Sequence, residues 1–206
     1  MPLTFLHTAE VHRATFDTLA SRHAPGIAIE HVVRPDWLTR AQAGGDPHLA
    51  SEIAQAIADA DSVVVCTCST IGTVAEDSGA IRIDRPMMAR AAQSGGRILL
   101  AYALDSTLAP STELLQQEIV KSGKSASIVP LNLTEYWPLF IAGEVTAFAA
   151  CIAAAVRDAH QADPANVIVL AQVSMAGAAA QLESLGRPVL TSPVLALEAA
   201  VANMTR

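Results

Sequence analysis

Cys68-Ser69-Thr70 closes an apolar run, Val63-Val64-Val65-Cys66-Thr67, and a thiol in that position can act as a nucleophile or as a proton-transfer group. A strand that ends in small hydroxyl residues before a helix offers O–H and backbone N–H donors to an anion. A helix N-terminus also favours the thiolate over the thiol. A similar unit returns at Val167-Ile168-Val169-Leu170-Ala171-Gln172-Val173-Ser174-Met175-Ala176. Superposing the two copies puts Cys68 opposite Gln172 and Thr70 opposite Ser174. One copy therefore ends in a thiol and the other in an amide. His7-Thr8, Asp105-Ser106-Thr107 and Gln172-Val173-Ser174 also fall at the ends of apolar strands, where open α/β sheets bind their ligands. These groups suit a small carboxylate. Cys68 is the candidate acid/base or nucleophile. His7 is a second proton-transfer group or a residue that tunes the thiol, and Gln172 is a donor to a developing enolate oxygen.

Each residue also has a plainer role. Cys66, inside a strand, and Cys151, in an Ala-rich helical stretch, read as packing, the usual fate of a free cysteine. Ser69, Thr70 and Ser174 serve equally as helix caps. His7 serves equally as a core histidine bonded to a carbonyl. His12, His23, His31, His48 and His160 form no ligand set and read as surface residues, so no metal site is expected. Trp37 and Trp137 flank turns and read as packing, with Trp137 near the expected cleft.

The elements that must position these groups alternate between strand and helix. Strands are expected at Thr4–His7 and Ile27–Val33, with a helix over Ala9–His23 between them. The Gly44-Gly45-Asp46-Pro47 turn predicts a helix to about Ala60, with Asp46 as its N-cap and Pro47 its first residue. The first copy of the repeat follows, with an Ala-rich helix and a short strand reaching Ile83-Asp84-Arg85-Pro86. After Gly95-Gly96 come a strand over Arg97–Ala103, a helix over Ser111–Ser122, a strand over Ala126–Leu133 and one long helix from Pro138 to His160. The second copy ends at Leu190-Thr191-Ser192-Pro193, with a last helix from Pro193. Continuous apolar strands alternating with helices imply buried parallel sheets. The expected fold is α/β, in two similar lobes related by a pseudo-twofold axis with a cleft between them. The lobes are residues 1–95, with helix 194–206 packed on them, and residues 96–206.

Composition narrows the partners. The 206 residues suffice for two small α/β units. Apolar residues make up 51%, yet no run approaches the roughly 20 residues of a membrane span. The formal charge of −7 argues against nucleic acid. The start of the chain has no basic segment of an export signal, and the three cysteines lack metal spacing. A cytoplasmic setting with reduced thiols is the expectation, with no membrane partner. A homo-oligomer is compatible with the composition.

With these residues in place, the chain resembles the aspartate/glutamate/hydantoin racemase superfamily. Cys68-Ser69-Thr70 is similar to that family's first cysteine motif, and Ile168 to Ala176 to its second. Leu6-His7-Thr8-Ala9 sits where glutamate racemases carry an Asp-Ser pair, and Trp137-Pro138-Leu139-Phe140-Ile141-Ala142-Gly143-Glu144 is similar to another racemase segment. The resemblance covers nearly the whole chain and implies flavodoxin-like lobes and cofactor-independent proton transfer at the α-carbon of a small carboxylate. In the family two cysteines flank that carbon. This chain departs at the second, where Gln172 stands. It also has Ile141 and Val173-Ser174 where glutamate racemases carry an acid and a Thr-His pair. The single-cysteine arylmalonate decarboxylases belong to the same superfamily, so a one-thiol decarboxylase is the alternative enzyme. A carboxylate-binding protein without turnover is the alternative outside catalysis.

Overall fold

The computed structural model describes residues 2–204. Their contacts divide the chain into two compact units, Met1–Asp84 with Pro193–Arg206, and Arg85–Ser192. The first unit carries β1 (Leu3–His7), α1 (His12–His23), β2 (Ile29–Val33), α2 (Pro35–Ala43), α3 (Leu49–Ala58), β3 (Val63–Cys66), α4 (Gly72–Asp77) and β4 (Ile81–Arg82). The second carries α5 (Arg85–Ser94), β5 (Gly96–Tyr102), α6 (Asp105–Ser122), β6 (Ala126–Asn132), α7 (Trp137–Ile141), α8 (Val145–Ala162), β7 (Val167–Leu170) and β8 (Val189–Thr191). The last helix, α9 (Ser192–Met204), belongs to the first unit from Pro193 onward.

Each unit is built on one four-stranded parallel sheet, in the orders β2-β1-β3-β4 and β6-β5-β7-β8. The inner strands β1 and β7 are buried at every position, while the edge strands β2 and β6 are partly exposed. This is why β7 reads as an unbroken apolar run, and why Pro130, which cannot donate to a ladder, is tolerated in β6. The core of the first unit includes Leu6, Trp37, Ile53, Val64, Cys66 and Ile71. That of the second includes Leu99, Phe148, Ile152, Ile168, Leu170 and Met175.

The repeat seen in the sequence is a repeat of register. Leu6 pairs with Cys66 in the first sheet, and Ala101 with Leu170 in the second. Two residues beyond each pair stand Cys68 and Gln172. The Thr67 N–H donates to the Leu6 carbonyl at 2.9 Å, and the Ala171 N–H to the Ala101 carbonyl at 3.0 Å, so both strand ends leave their sheets in the same way.

Several elements differ from expectation. α1 begins at His12, not Ala9, and β2 at Ile29, not Ile27. α2 is a helix the periodicity did not predict, opened by Pro35 at its first position and buried only through Trp37. α3 starts at Leu49, and the Asp46 carboxylate accepts from the His48 N–H at 2.9 Å without capping the helix. β4 ends at Arg82, before the expected Ile83-Asp84 strand. α6 begins at Asp105 and runs through Pro110. Pro110 gives up the ladder bond that an N–H there would make to the Ser106 carbonyl, and the helix continues past it. The long helix expected from Pro138 is two, α7 and α8, separated at Ala142-Gly143-Glu144, where Gly143 takes a positive φ of 79° that suits glycine at a helix end. The segment after Gln172 is a 3-10 helix over Val173–Leu185 in place of the expected α-helix.

Candidate active site

The thiol motif lies past the end of β3. Cys68 is 9% exposed and belongs to the apolar cluster of the first unit. Ser69 is buried and Thr70 half-buried. The Ser69 carbonyl accepts from the Gly72 N–H at 3.2 Å, closing a turn before α4. The expectations that Cys68 stands at a helix N-terminus and that Ser69 or Thr70 caps that helix are corrected here. α4 is six residues long, and its N-cap is Ile71. Cys66 is fully buried and its S–H donates to the Cys68 carbonyl at 3.6 Å. Burial pushes the Cys66 thiol strongly up, with the neighbouring Cys68 adding to the effect, so Cys66 stays protonated. Cys151 is only half-buried, not core.

His7 ends β1 and Thr8 follows it, and both are buried. The His7 ring is enclosed, with 0% exposure. Its Nδ1 lies 2.8 Å from Thr67 Oγ1, and its Nε2 lies 2.9 Å from His31 Nδ1. Both ring nitrogens are therefore engaged by protein. Burial first, and then the nearby His12, His31 and Arg13, lower the His7 pKa to about 3, so the ring is neutral at physiological pH. His31 is not a surface residue. Its side chain is 5% exposed and its Nε2 lies 2.9 Å from Asp17 Oδ1. Sheet register explains the meeting: His31 pairs with Phe5, so His7 and His31 lie on one face of adjacent strands, and their rings stack at 5.1 Å.

A second group escaped the sequence reading altogether. Arg82, at the end of β4, and Asp84 form a buried two-pronged ion pair, Nε to Oδ1 at 2.7 Å and Nη2 to Oδ2 at 3.1 Å. Arg82 Nη1 also donates to Thr73 Oγ1 at 3.0 Å. This pair braces the turn that carries Cys68, since Thr73 and the close-packed Gly72 follow it directly. Charged residues at the end of a short apolar strand were the available signal, because a buried arginine needs a partner.

In the second unit, Gln172 is buried and its Oε1 accepts from the Ala103 N–H at 2.6 Å, leaving the amide N–H2 as its donor end. Val173 is buried. Ser174 Oγ is enclosed without a hydrogen-bond partner. Ser106 is half-buried and Thr107 buried, both in the first turn of α6, whose N-cap Leu104 supplies no side-chain bond. Trp137 is half-buried against Phe140 and Phe148. Trp37 is enclosed, its Nε1 donating to Glu52 at 3.3 Å. Among the described residues, no group of three or more His, Cys, Asp or Glu could hold a metal ion, and no helix is long and apolar enough to cross a membrane.

Two parallel sheets of one strand order, each with polar groups past its strand ends, define an α/β protein of two similar units. The chain has the fold of the aspartate/glutamate/hydantoin racemase superfamily. It is similar to glutamate racemase from Francisella tularensis, solved with D-glutamate, at a TM-score of 0.71 and 12% identity, covering 99% of this chain and 81% of that one. It is similar to allantoin racemase from Klebsiella pneumoniae at a TM-score of 0.65 and 18% identity, covering 100% and 88%. It is also similar to a variant of arylmalonate decarboxylase, solved with an associated sulfate ion, at 0.61 and 13%, covering 98% and 92%. No family model and no curated protein matches the sequence.

Proposed function

We propose that this protein is an isomerase of racemase type that transfers a proton at the α-carbon of a small carboxylate without a cofactor, with Cys68 as the acid/base group. The observation that carries this reading is the Cys68 thiol just past the carboxyl end of β3, followed by the hydroxyls of Ser69 and Thr70. The neighbours named as racemases support the class. The thiolate removes the α-proton, and the resulting enediolate is stabilised by donors aimed at its oxygens. Thr8, Ser69 and Thr70 are the proposed carboxylate donors of the first unit. Ser106, Thr107, Ser174, the Val173 N–H and the Gln172 amide are those proposed for the second. His7, with both nitrogens occupied, acts through Thr67 rather than on the substrate.

Gln172 favours a second reading. An amide exchanges no proton with carbon at neutral pH, so one thiol would serve one face of the enediolate. That is sufficient for a lyase that loses carbon dioxide and then protonates the same carbon.

The test is solvent deuterium incorporation, followed by NMR, across small α-substituted carboxylates and malonates. Exchange at the α-carbon that Cys68→Ser abolishes, with binding retained by calorimetry, is the expected result. Carbon dioxide release from malonates selects the lyase. Binding without exchange leaves a carboxylate-binding protein, and full exchange by Cys68→Ser removes the thiol from the reaction.

A further inference from the structure

Thr67, His7, His31 and Asp17 form a continuous chain of hydrogen bonds from the turn preceding Cys68 to the protein surface. The links are 2.8 Å from Thr67 Oγ1 to His7 Nδ1, 2.9 Å from His7 Nε2 to His31 Nδ1, and 2.9 Å from His31 Nε2 to Asp17 Oδ1. Its inner members are enclosed, whereas the Asp17 side chain is 58% exposed. Both nitrogens of both rings are used. Neither packing nor the fold requires two histidines in series that end on a carboxylate.

We propose that this chain is a proton relay, in which His31 and Asp17 act through His7 to carry a proton between the Thr67 hydroxyl and solvent. The inventory of donors allows two arrangements of the same heavy atoms. In the first, Thr67 O–H donates to His7 Nδ1, His7 Nε2–H donates to His31 Nδ1, and His31 Nε2–H donates to Asp17. Both rings are neutral, and no bare nitrogen faces the carboxylate. The second holds one proton more. A proton arrives on Thr67 Oγ1, the original hydroxyl proton passes to His7 Nδ1, and the His7 Nε2 proton passes to His31 Nδ1. His31 then carries both ring protons and a positive charge against the Asp17 carboxylate. In this arrangement Thr67 O–H turns to the Leu6 carbonyl, which lies 3.1 Å away and gives it an acceptor.

Other groups bias the relay without breaking it. His12 and Arg13 of α1 disfavour charge on His7, whereas the Asp17 carboxylate lies 2.9 Å from His31 Nε2 and gives the added charge a partner there. Phe5 from β1 stacks against both the His7 and His31 rings, and Phe16 from α1 packs tilted against His7, which holds the two imidazoles in place. The relay's service to turnover rests on the Cys68 reading, since Thr67 immediately precedes Cys68. Its existence does not.

The experiment is nitrogen NMR of histidine-labelled full-length protein over about pH 8 to 5. His7 is expected to carry its proton on Nε2 at the upper end and on Nδ1 at the lower end, remaining neutral throughout. In Asp17→Asn, a surface change, the midpoint of this tautomer switch falls by about half a unit, as suits a partly exposed pair. In His31→Phe, which keeps the stack, the switch is lost. A His7 tautomer that stays the same across the range, or a midpoint that Asp17→Asn leaves unmoved, overturns the relay. The readout needs no substrate. A working switch with no deuterium exchange overturns the functional reading alone, and exchange by Cys68 with a fixed tautomer overturns the relay alone.

Discussion

Asp84→Ala tests whether a buried ion pair holds the turn that presents Cys68. Asp84 is 0% exposed and Arg82 3%, so neither charge has water in reserve. Removing the carboxylate takes two hydrogen bonds and the counter-charge at 2.7 Å from a buried guanidinium. Losses of this kind cost about 3–5 kcal/mol. With a urea slope of about 2 kcal/mol per molar, the unfolding midpoint should fall by about 2 M. The double variant Arg82→Met/Asp84→Leu removes both charges and fills the space, so it should lie within about 1 kcal/mol of the parent or above it. Gly72→Ala reads the same packing from the other side. A Cβ there would meet Arg82 Nε at 3.0 Å and its Cδ at 3.2 Å. In the parent Arg82 must give by a few tenths of an ångström while Asp84 and Thr73 hold it, which strains those bonds. In the double variant methionine still lies near the added Cβ, but it is flexible and held by no ion pair, so it can give way, and alanine should add up to about 1 kcal/mol of helix preference. Urea titrations of the four proteins, with iodoacetamide labelling of Cys68 as a report on the turn, make the measurement. A loss under 1 kcal/mol for Asp84→Ala, or an equal effect of Gly72→Ala in both backgrounds, would refute the reasoning.

Two further outcomes follow from the same geometry. His7 has a folded pKa of about 3, below its unfolded value near 6.5, so the unfolded chain binds the proton first as pH falls. Stability should therefore drop from pH 7 to pH 5, with His7 contributing about 2 kcal/mol of the loss. His7→Phe should remove that share of the pH dependence, and an unchanged slope in urea titrations at the two pH values would count against a neutral His7. Gly96 has a φ of +70°, and a Cβ there would fall 2.4 Å from Asn166 Oδ1, which accepts from the Arg97 N–H at 2.8 Å. Gly96→Ala should cost about 2 kcal/mol or more, from backbone strain and the lost bond. Gly123→Ala, also at positive φ but with open space around the added atom, should cost only the strain; equal losses at the two sites would show that Asn166 does not matter.

The sequence by itself determined the two parallel sheets and the correspondence of Cys68 with Gln172. Both rest on local pattern. Strands buried on both faces must be apolar throughout, and a repeated strand, polar turn and short strand keeps its register, as the Leu6–Cys66 and Ala101–Leu170 pairs show. Helix limits were less legible. α2 has a single buried residue, Trp37, too weak a periodic signal to read, and the α7–α8 break turns on one glycine within an otherwise helical stretch. The surroundings of the site were decided by tertiary structure alone. His7 meets Thr67 across 60 positions and His31 across 24, and those meetings depend on which strands neighbour β1 and on the parity of their register. Parity flips with a slip of one residue, so periodicity along a single strand cannot fix it. The same holds for Arg82. Its burial follows only once β4 is laid beside β3 and Asp84 is brought against it, because burial of a charge is decided by the partner and not by the residue.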